Sequence, residues 1–172
     1  ICTSANSVGA NSISMGWNSA ALAGNGIALG TNSNAVAFNS IAVGMGAKSL
    51  ANNAIALGNA ANAAEIGSLS FGSGSRALAT NAIALGASSN ASHSNSMALG
   101  LSAKALAASA TAVGQSSNAS GVSATAVGSS AAASGLNSAS FGNASNASGI
   151  SATAIGDSAK ATSENSLALG RS

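Results

Sequence analysis

The apolar residues of this chain fall on a fixed grid. Every fourteenth residue from Gly16 to Gly170 is glycine, and the residue before each is apolar: Met15, Leu29, Val43, Leu57, Phe71, Leu85, Leu99, Val113, Val127, Phe141, Ile155 and Leu169. With the glycine as position 14, the first full repeat is residues 3–16 and the last is 157–170, without an insertion or deletion. Position 11 carries Ile13, Ile27, Ile41, Ile55, Leu69, Ile83 and Met97, then Thr111, Thr125, Ala139, Thr153 and Leu167. Position 12 is only alanine or serine, and position 10 is small. This period of two predicts a β-strand over positions 9–13, because successive side chains point to opposite faces. Positions 3–7, as in residues 103–107, predict a second, shorter strand. A helix is a poor alternative, since the recurring glycine and the serine and asparagine clusters would break it.

Two corners complete the repeat. One spans positions 14 to 2, where glycine accepts positive φ. The other spans positions 7 to 9, where asparagine and serine can bond nearby backbone. Positions 6 and 8 trade an apolar residue: Leu50 goes with Asn52 and Leu78 with Thr80, whereas Ser120 goes with Val122 and Ser134 with Leu136. Val36 and Phe38 supply both, and Ser92 and Ser94 neither. One apolar group is expected to cover this corner from either side. Two strands and two corners per repeat predict an all-β solenoid, a flat parallel β-roll of twelve stacked coils spanning roughly 55–60 Å. Residues 1–172 read as one repetitive domain without a linker.

Composition supports order over disorder. Charged residues are 5% and aromatics 2%, and proline is absent, yet 47% of residues are apolar and sit at fixed positions. A net charge of +2 from five basic and three acidic residues is too sparse for a nucleic-acid surface. The single cysteine, Cys2, excludes an internal disulfide framework; it stands where glycine is expected, as an end-coil variant or a boundary residue. No signal peptide or membrane span is expected. The chain starts and stops in repeat phase, so a piece of a longer protein is expected.

Charge places one face. Position 4 carries Lys48, Arg76, Lys104 and Lys160, so it faces out, and positions 3 and 5, alanine or serine, face in. Parity leaves the other strand open. If positions 11 and 13 face in, a ladder of alanine and serine lies outside. If 10 and 12 face in, the roll is thin and a long stripe of Ile, Leu, Val and Phe is exposed. Either arrangement leaves a long uncharged surface, beyond what a monomer tolerates. A parallel homotrimer with this strand toward the axis is the expected solution.

Repeats such as Asn39-Ser40-Ile41-Ala42-Val43-Gly44 followed by Gly46-Ala47-Lys48-Ser49-Leu50 resemble the YadA-like head of trimeric autotransporter adhesins. Residues 123–128 and 165–170 carry the same pattern, and the resemblance covers all twelve coils. It implies a left-handed parallel β-roll with three chains per head, carried on a stalk and held in a Gram-negative outer membrane by a C-terminal β-barrel. It implies attachment to host matrix proteins such as collagen, or to cells and other surfaces. Stalk and anchor are expected to lie outside this sequence, with membrane attachment running through that anchor and Gly170-Arg171-Ser172 as the candidate start of a neck.

The position 4 ladder is the candidate ligand contact. From Asn34 it reads Asn34, Lys48, Asn62, Arg76, Asn90, Lys104, Asn118, Ala132, Asn146, Lys160. Like charges stand about 9–10 Å apart, near the Debye length. It serves either solubility and protection from lateral strand pairing, or contact with an extended ligand such as a collagen rod. His93 and Glu65 share position 7 two rungs apart, and no carboxylate or cysteine lies within a rung of His93, so a base or metal ligand is not expected. Asp157 and Glu164 are the only carboxylates that share a coil. No serine has a His–Asp pair in reach. Trp17, at the variable position 1 with Met45 and Leu101, is either a binding anchor or a packing residue for a neighbouring segment. The Asn-Ala-Ser triplets at 90–92, 118–120, 143–145 and 146–148 read as by-products of the repeat. The expected function is a non-enzymatic adhesin head without a cofactor. The alternative is a structural spacer lifting a separate binding segment. An ice-binding solenoid needs a regular threonine ladder, which Ala139 interrupts, and a polysaccharide-cleaving enzyme needs acidic clusters that the ladders lack.

Overall fold

The computed structural model describes residues 4–171. Among these residues each coil contributes one two-residue strand and one three-residue strand. The short ones run from β1 (Asn6–Ser7) to β23 (Lys160–Ala161) as the odd-numbered strands; the longer ones run from β2 (Ile13–Met15) to β24 (Leu167–Leu169) as the even-numbered strands. Odd strands pair only with odd and even with even, giving two twelve-stranded parallel sheets, here the narrow and the wide sheet. Register is constant at fourteen residues, as in Ile41↔Ile55 and Lys48↔Asn62. The expected parallel β-solenoid is what forms.

The strands are narrower than the sequence pattern predicts, because the corners are larger. Each corner is a four-residue β-turn. At one, the position 3 amide donates to the position 14 carbonyl, as Ser33 N–H does to Gly30 O at 3.1 Å. At the other, the position 10 amide donates to the position 7 carbonyl, as Ser40 N–H does to Ala37 O at 3.3 Å. The third residue of each turn has positive φ: 56° at Asn32 and 55° at Asn39. That is the demand of a type II turn, and asparagine, serine and glycine meet it more readily than other residues. The turns therefore consume positions 14 to 3 and 7 to 10, leaving positions 4–6 and 11–13, of which 4–5 and 11–13 are strand.

The structure also decides the parity that the sequence left open. Positions 10 and 12 face in. Ala84, Ala98, Ala112 and Ala126 on the wide sheet, and Ala77, Ala91, Ala105 and Ala119 on the narrow sheet, are fully buried. The interior is thus four columns of alanine and serine, and the gap between the sheets admits nothing larger. Buried serines are satisfied locally. The Ser33 hydroxyl donates to Gly30 O at 2.8 Å and Ser138 to Gly135 O at 2.8 Å, closing the same turns that their amides close. Ser70 and Ser140 bond Ser75 and Ser145 across the core at 2.7 Å. Serine appears in this core where a turn carbonyl or a second hydroxyl answers it.

The corners carry their own ladders. Asn25 Nδ2 donates to Asn39 Oδ1 at 3.0 Å and Asn39 Nδ2 to Asn53 Oδ1 at 3.1 Å, so stacked turns are tied rung to rung. Where position 7 is glycine the turns lie closer still: a Cβ on Gly121 would fall 2.0 Å from Gly135 O. The apolar residues expected to cover this corner stay half exposed, as at Val122, Leu136 and Ile150.

Candidate functional site: two opposed faces of the roll

With the interior filled by small residues, the larger side chains are displaced to the outside. On the wide sheet, positions 11 and 13 form two parallel outward columns, partly or largely exposed from Ile13 and Met15 to Leu167 and Leu169. Twelve rungs at about 4.8 Å and a width of about 10 Å give an apolar strip on the order of 550 Å². It changes character along its length: position 11 is apolar as far as Met97 and then reads Thr111, Thr125, Ala139 and Thr153.

The narrow sheet presents the opposite chemistry. Lys48 on β7 (Lys48–Ser49), Arg76 on β11 (Arg76–Ala77), Lys104 on β15 (Lys104–Ala105) and Lys160 on β23 are all exposed on its outer face. Registers Lys48↔Asn62, Arg76↔Asn62, Arg76↔Asn90 and Lys104↔Asn90 place the first three at every second rung, with asparagine between. Ala132 takes the rung where the next cation would stand, and Lys160 resumes the column. Positions 4 and 6 hold no carboxylate in any coil, so this face carries one sign of charge.

A second column, not singled out from the sequence, lies beside the first. Position 6 continues the strand pairing, as Leu50 N–H donates to Ala63 O at 2.9 Å and Leu78 N–H to Ala91 O at 2.9 Å. Alternation from the buried position 5 puts position 6 on the outer face. Leucine stands there at Leu22, Leu50, Leu78 and Leu106, on every second coil, and three of these coils carry a cation at position 4. The intervening coils pair asparagine with a smaller residue: Asn34 with Val36, Asn62 with Ala64, Asn90 with Ser92. The signal was present as a second period of twenty-eight residues, hidden under the stronger one of fourteen.

The asparagines in this column are unusual. The Oδ1 atoms of Asn34, Asn62, Asn90 and Asn118 are shut off from solvent and have no hydrogen-bond partner. Each of these residues is half-buried, so the other end of its amide is the part that reaches the outer face. A buried unbonded acceptor costs about 1–3 kcal/mol.

The remaining candidate residues are dispersed. His93 sits on an exposed corner with Nδ1 3.1 Å from Ser92 Oγ, and Glu65 lies two coils away at the same position. Asp157 is answered by Asn143 Nδ2 at 2.8 Å and by Arg171 Nε at 3.4 Å. Trp17 is exposed at its turn, as are Met45 and Leu101. Cys2 lies outside the described residues. Among the described residues no His, Cys, Asp or Glu side chains gather as a metal site, and no helix is long and apolar enough to cross a membrane.

No match was found among curated proteins. Among solved structures the chain is similar to the crystal structure of the collagen-binding domain of Yersinia adhesin YadA, at 25% identity and a TM-score of 0.37, over 98% of this chain and 70% of that one. The family model for the YadA head domain repeat, which spans two copies, matches in overlapping windows stepped by fourteen residues, from 7–33 and 21–47 through to 147–172. With the repeat matched in phase from residue 7 to residue 172, the chain belongs to the YadA head domain family.

Proposed function

We propose that residues 1–172 form one adhesive head domain of a bacterial surface protein, working as a parallel homotrimer of left-handed rolls. The wide-sheet faces meet around a common axis, and the narrow-sheet faces point outward to the ligand. The observation that carries this reading is the opposition of the two faces: a continuous apolar strip on one side, and cations with exposed amides on the other. A strip on the order of 550 Å² stands at the upper end of what soluble monomers leave bare, and patches of that size commonly mark an interface. A closed ring of three covers it without leaving an open edge for fibre growth. The heads of this family are adhesin domains and not enzymes.

The partners proposed are other copies of this chain and a host matrix component or cell-surface ligand, collagen among the matrix proteins. Lys48, Arg76, Lys104 and Lys160 are the proposed contact line. The protein is placed at the Gram-negative cell surface, anchored in the outer membrane through a segment outside this chain. Light scattering on dilute protein tests the assembly, and a stable monomer refutes it. Attachment of the isolated trimer to a panel of matrix proteins and whole cells tests the adhesive role. No attachment to any of them leaves the roll as a spacer that lifts another binding segment.

A further inference from the structure

The narrow sheet has a corrugated outer face, and its step selects a class of ligand. Ridges built from a cation and a leucine, such as Lys48 with Leu50 and Arg76 with Leu78, alternate with lower rungs such as Asn62 with Ala64. The ridge spacing is two rungs, about 9.6 Å. We infer that this face binds a linear polysaccharide of alternating uronic acid and N-acetylated amino sugar, laid along the roll axis with one disaccharide per ridge. This inference rests on the outward orientation of the narrow sheet in the proposed head.

Each chemical feature of such a polymer meets a feature of the ridge. One disaccharide of an extended, β-linked chain has a length close to the two-rung step. Its single carboxylate reaches the cation at position 4. Its acetamide methyl group rests on the leucine at position 6. Its hydroxyl and acetamide oxygens accept from the outward Nδ2 groups of Asn62 and Asn90. Those amides are held with Oδ1 buried and unbonded, a stability cost repeated at four rungs of this one face.

Other extended polymers fit less well. DNA and RNA place a phosphate about every 3.4 Å along a strand, so most phosphates would lie between cations, and this face has no aromatic on which a base could stack. An extended acidic peptide repeats about every 6.8 Å on one side. One turn of a polyproline II strand advances about 9.3 Å, close to the ridge step, so spacing alone also admits a triple-helical rod. A single polyproline II strand is recognised in aromatic-lined grooves, and positions 4 and 6 hold no aromatic residue; the triple-helical rod is the competitor that the titration below separates. Protein rods also carry both signs of charge, whereas this face offers cations and no carboxylate to receive the positive ones.

The test is calorimetric titration of the 172-residue chain with an unsulfated oligosaccharide of alternating glucuronate and N-acetylglucosamine, long enough to span three ridges. The native chain should bind it with an affinity that falls as salt is raised, a negative log–log salt slope set by screening of three ion pairs. Replacing Lys48→Gln, Arg76→Gln and Lys104→Gln together should weaken binding about tenfold or more and flatten that slope. A second variant, Asn62→Lys with Arg76→Asn, keeps the charge and moves one cation off the two-rung step; it should also bind weakly. Leu50→Ser with Leu78→Ser should weaken binding while leaving the salt slope intact. A cooperative thermal melt at or above the native midpoint confirms that each of these exposed-face variants is folded. Binding of the shifted variant as tight as native reduces the site to non-specific charge and overturns the inference, as does preference for a triple-helical peptide or DNA over the oligosaccharide. Loss of the oligosaccharide with attachment to cells retained removes this inference and leaves the adhesin reading standing. A trimer that attaches to nothing removes the adhesin reading itself.

Discussion

The glycine column at position 14 offers a quantitative test of how tightly the coils are stacked. Gly86 has φ of 129°, and a Cβ placed there would fall 2.4 Å from Gly100 O and 2.6 Å from Gly100 C. Ordinary contact begins near 3.4 Å, so the rung would have to open by about 1 Å. The bond from Gly100 N–H to Leu85 O, 2.7 Å long, spans that rung and would stretch out of hydrogen-bond range. Adding about 1–3 kcal/mol for the backbone region and about 1–2 kcal/mol for the weakened bond gives about 2–5 kcal/mol for Gly86→Ala. Gly46 is the control. It sits at the other kind of glycine position, with φ of 67° and nothing within 4 Å of the added Cβ. Ala60 and Ala144 already occupy equivalent places at φ of 53° and 50°. Gly46→Ala should therefore cost about 1 kcal/mol. For a chain of this length the melting temperature should fall by about 10 °C in the first case and by about 2–4 °C in the second. Thermal unfolding followed by circular dichroism decides, with total protein concentration held fixed because self-association shifts the midpoint. Equal losses from the two substitutions would refute the idea that stacked glycine backbones set the rung spacing.

Three further outcomes follow from the packing. Ala98→Leu, in a fully buried column with Ala84 and Ala112 as its rung neighbours, should destabilise by about 1–3 kcal/mol through overpacking, read from denaturant unfolding. Asn90→Thr should stabilise by about 1 kcal/mol in the same assay, because it removes an orphaned acceptor from a strand, while weakening oligosaccharide binding. Ile55→Asp with Ile83→Asp, on the outward face of the wide sheet, should convert the proposed trimer to monomer without loss of β-structure, measured by light scattering and circular dichroism.

Much of the site was legible as a column before it was legible as a surface. Lys48, Arg76 and Lys104 are fourteen-residue multiples apart, so any stacked coil must place them in one line. Their leucine companions were overlooked because position 6 was considered only against position 8, within a coil, and not against position 4 on alternate coils. The orphaned oxygens of Asn62 and Asn90 leave no trace in the sequence, because an amide's orientation depends on the rungs above and below it. The scattering of His93, Glu65 and Asp157 was readable, since His93 and Glu65 share position 7 but stand two rungs apart, and Asp157 lies at position 1 several coils further on.

The coil is written in the order of residues: a constant step along the chain becomes a constant rise along an axis, and residues tolerant of positive φ mark both corners. That order could not determine which way the longer strand faces, because a period of two is the same pattern seen from either side. The tertiary structure decided that. Two tight turns hold the sheets so close that only the alanine and serine columns fit between them, and Ile, Leu, Val and Phe are left outside to find other partners.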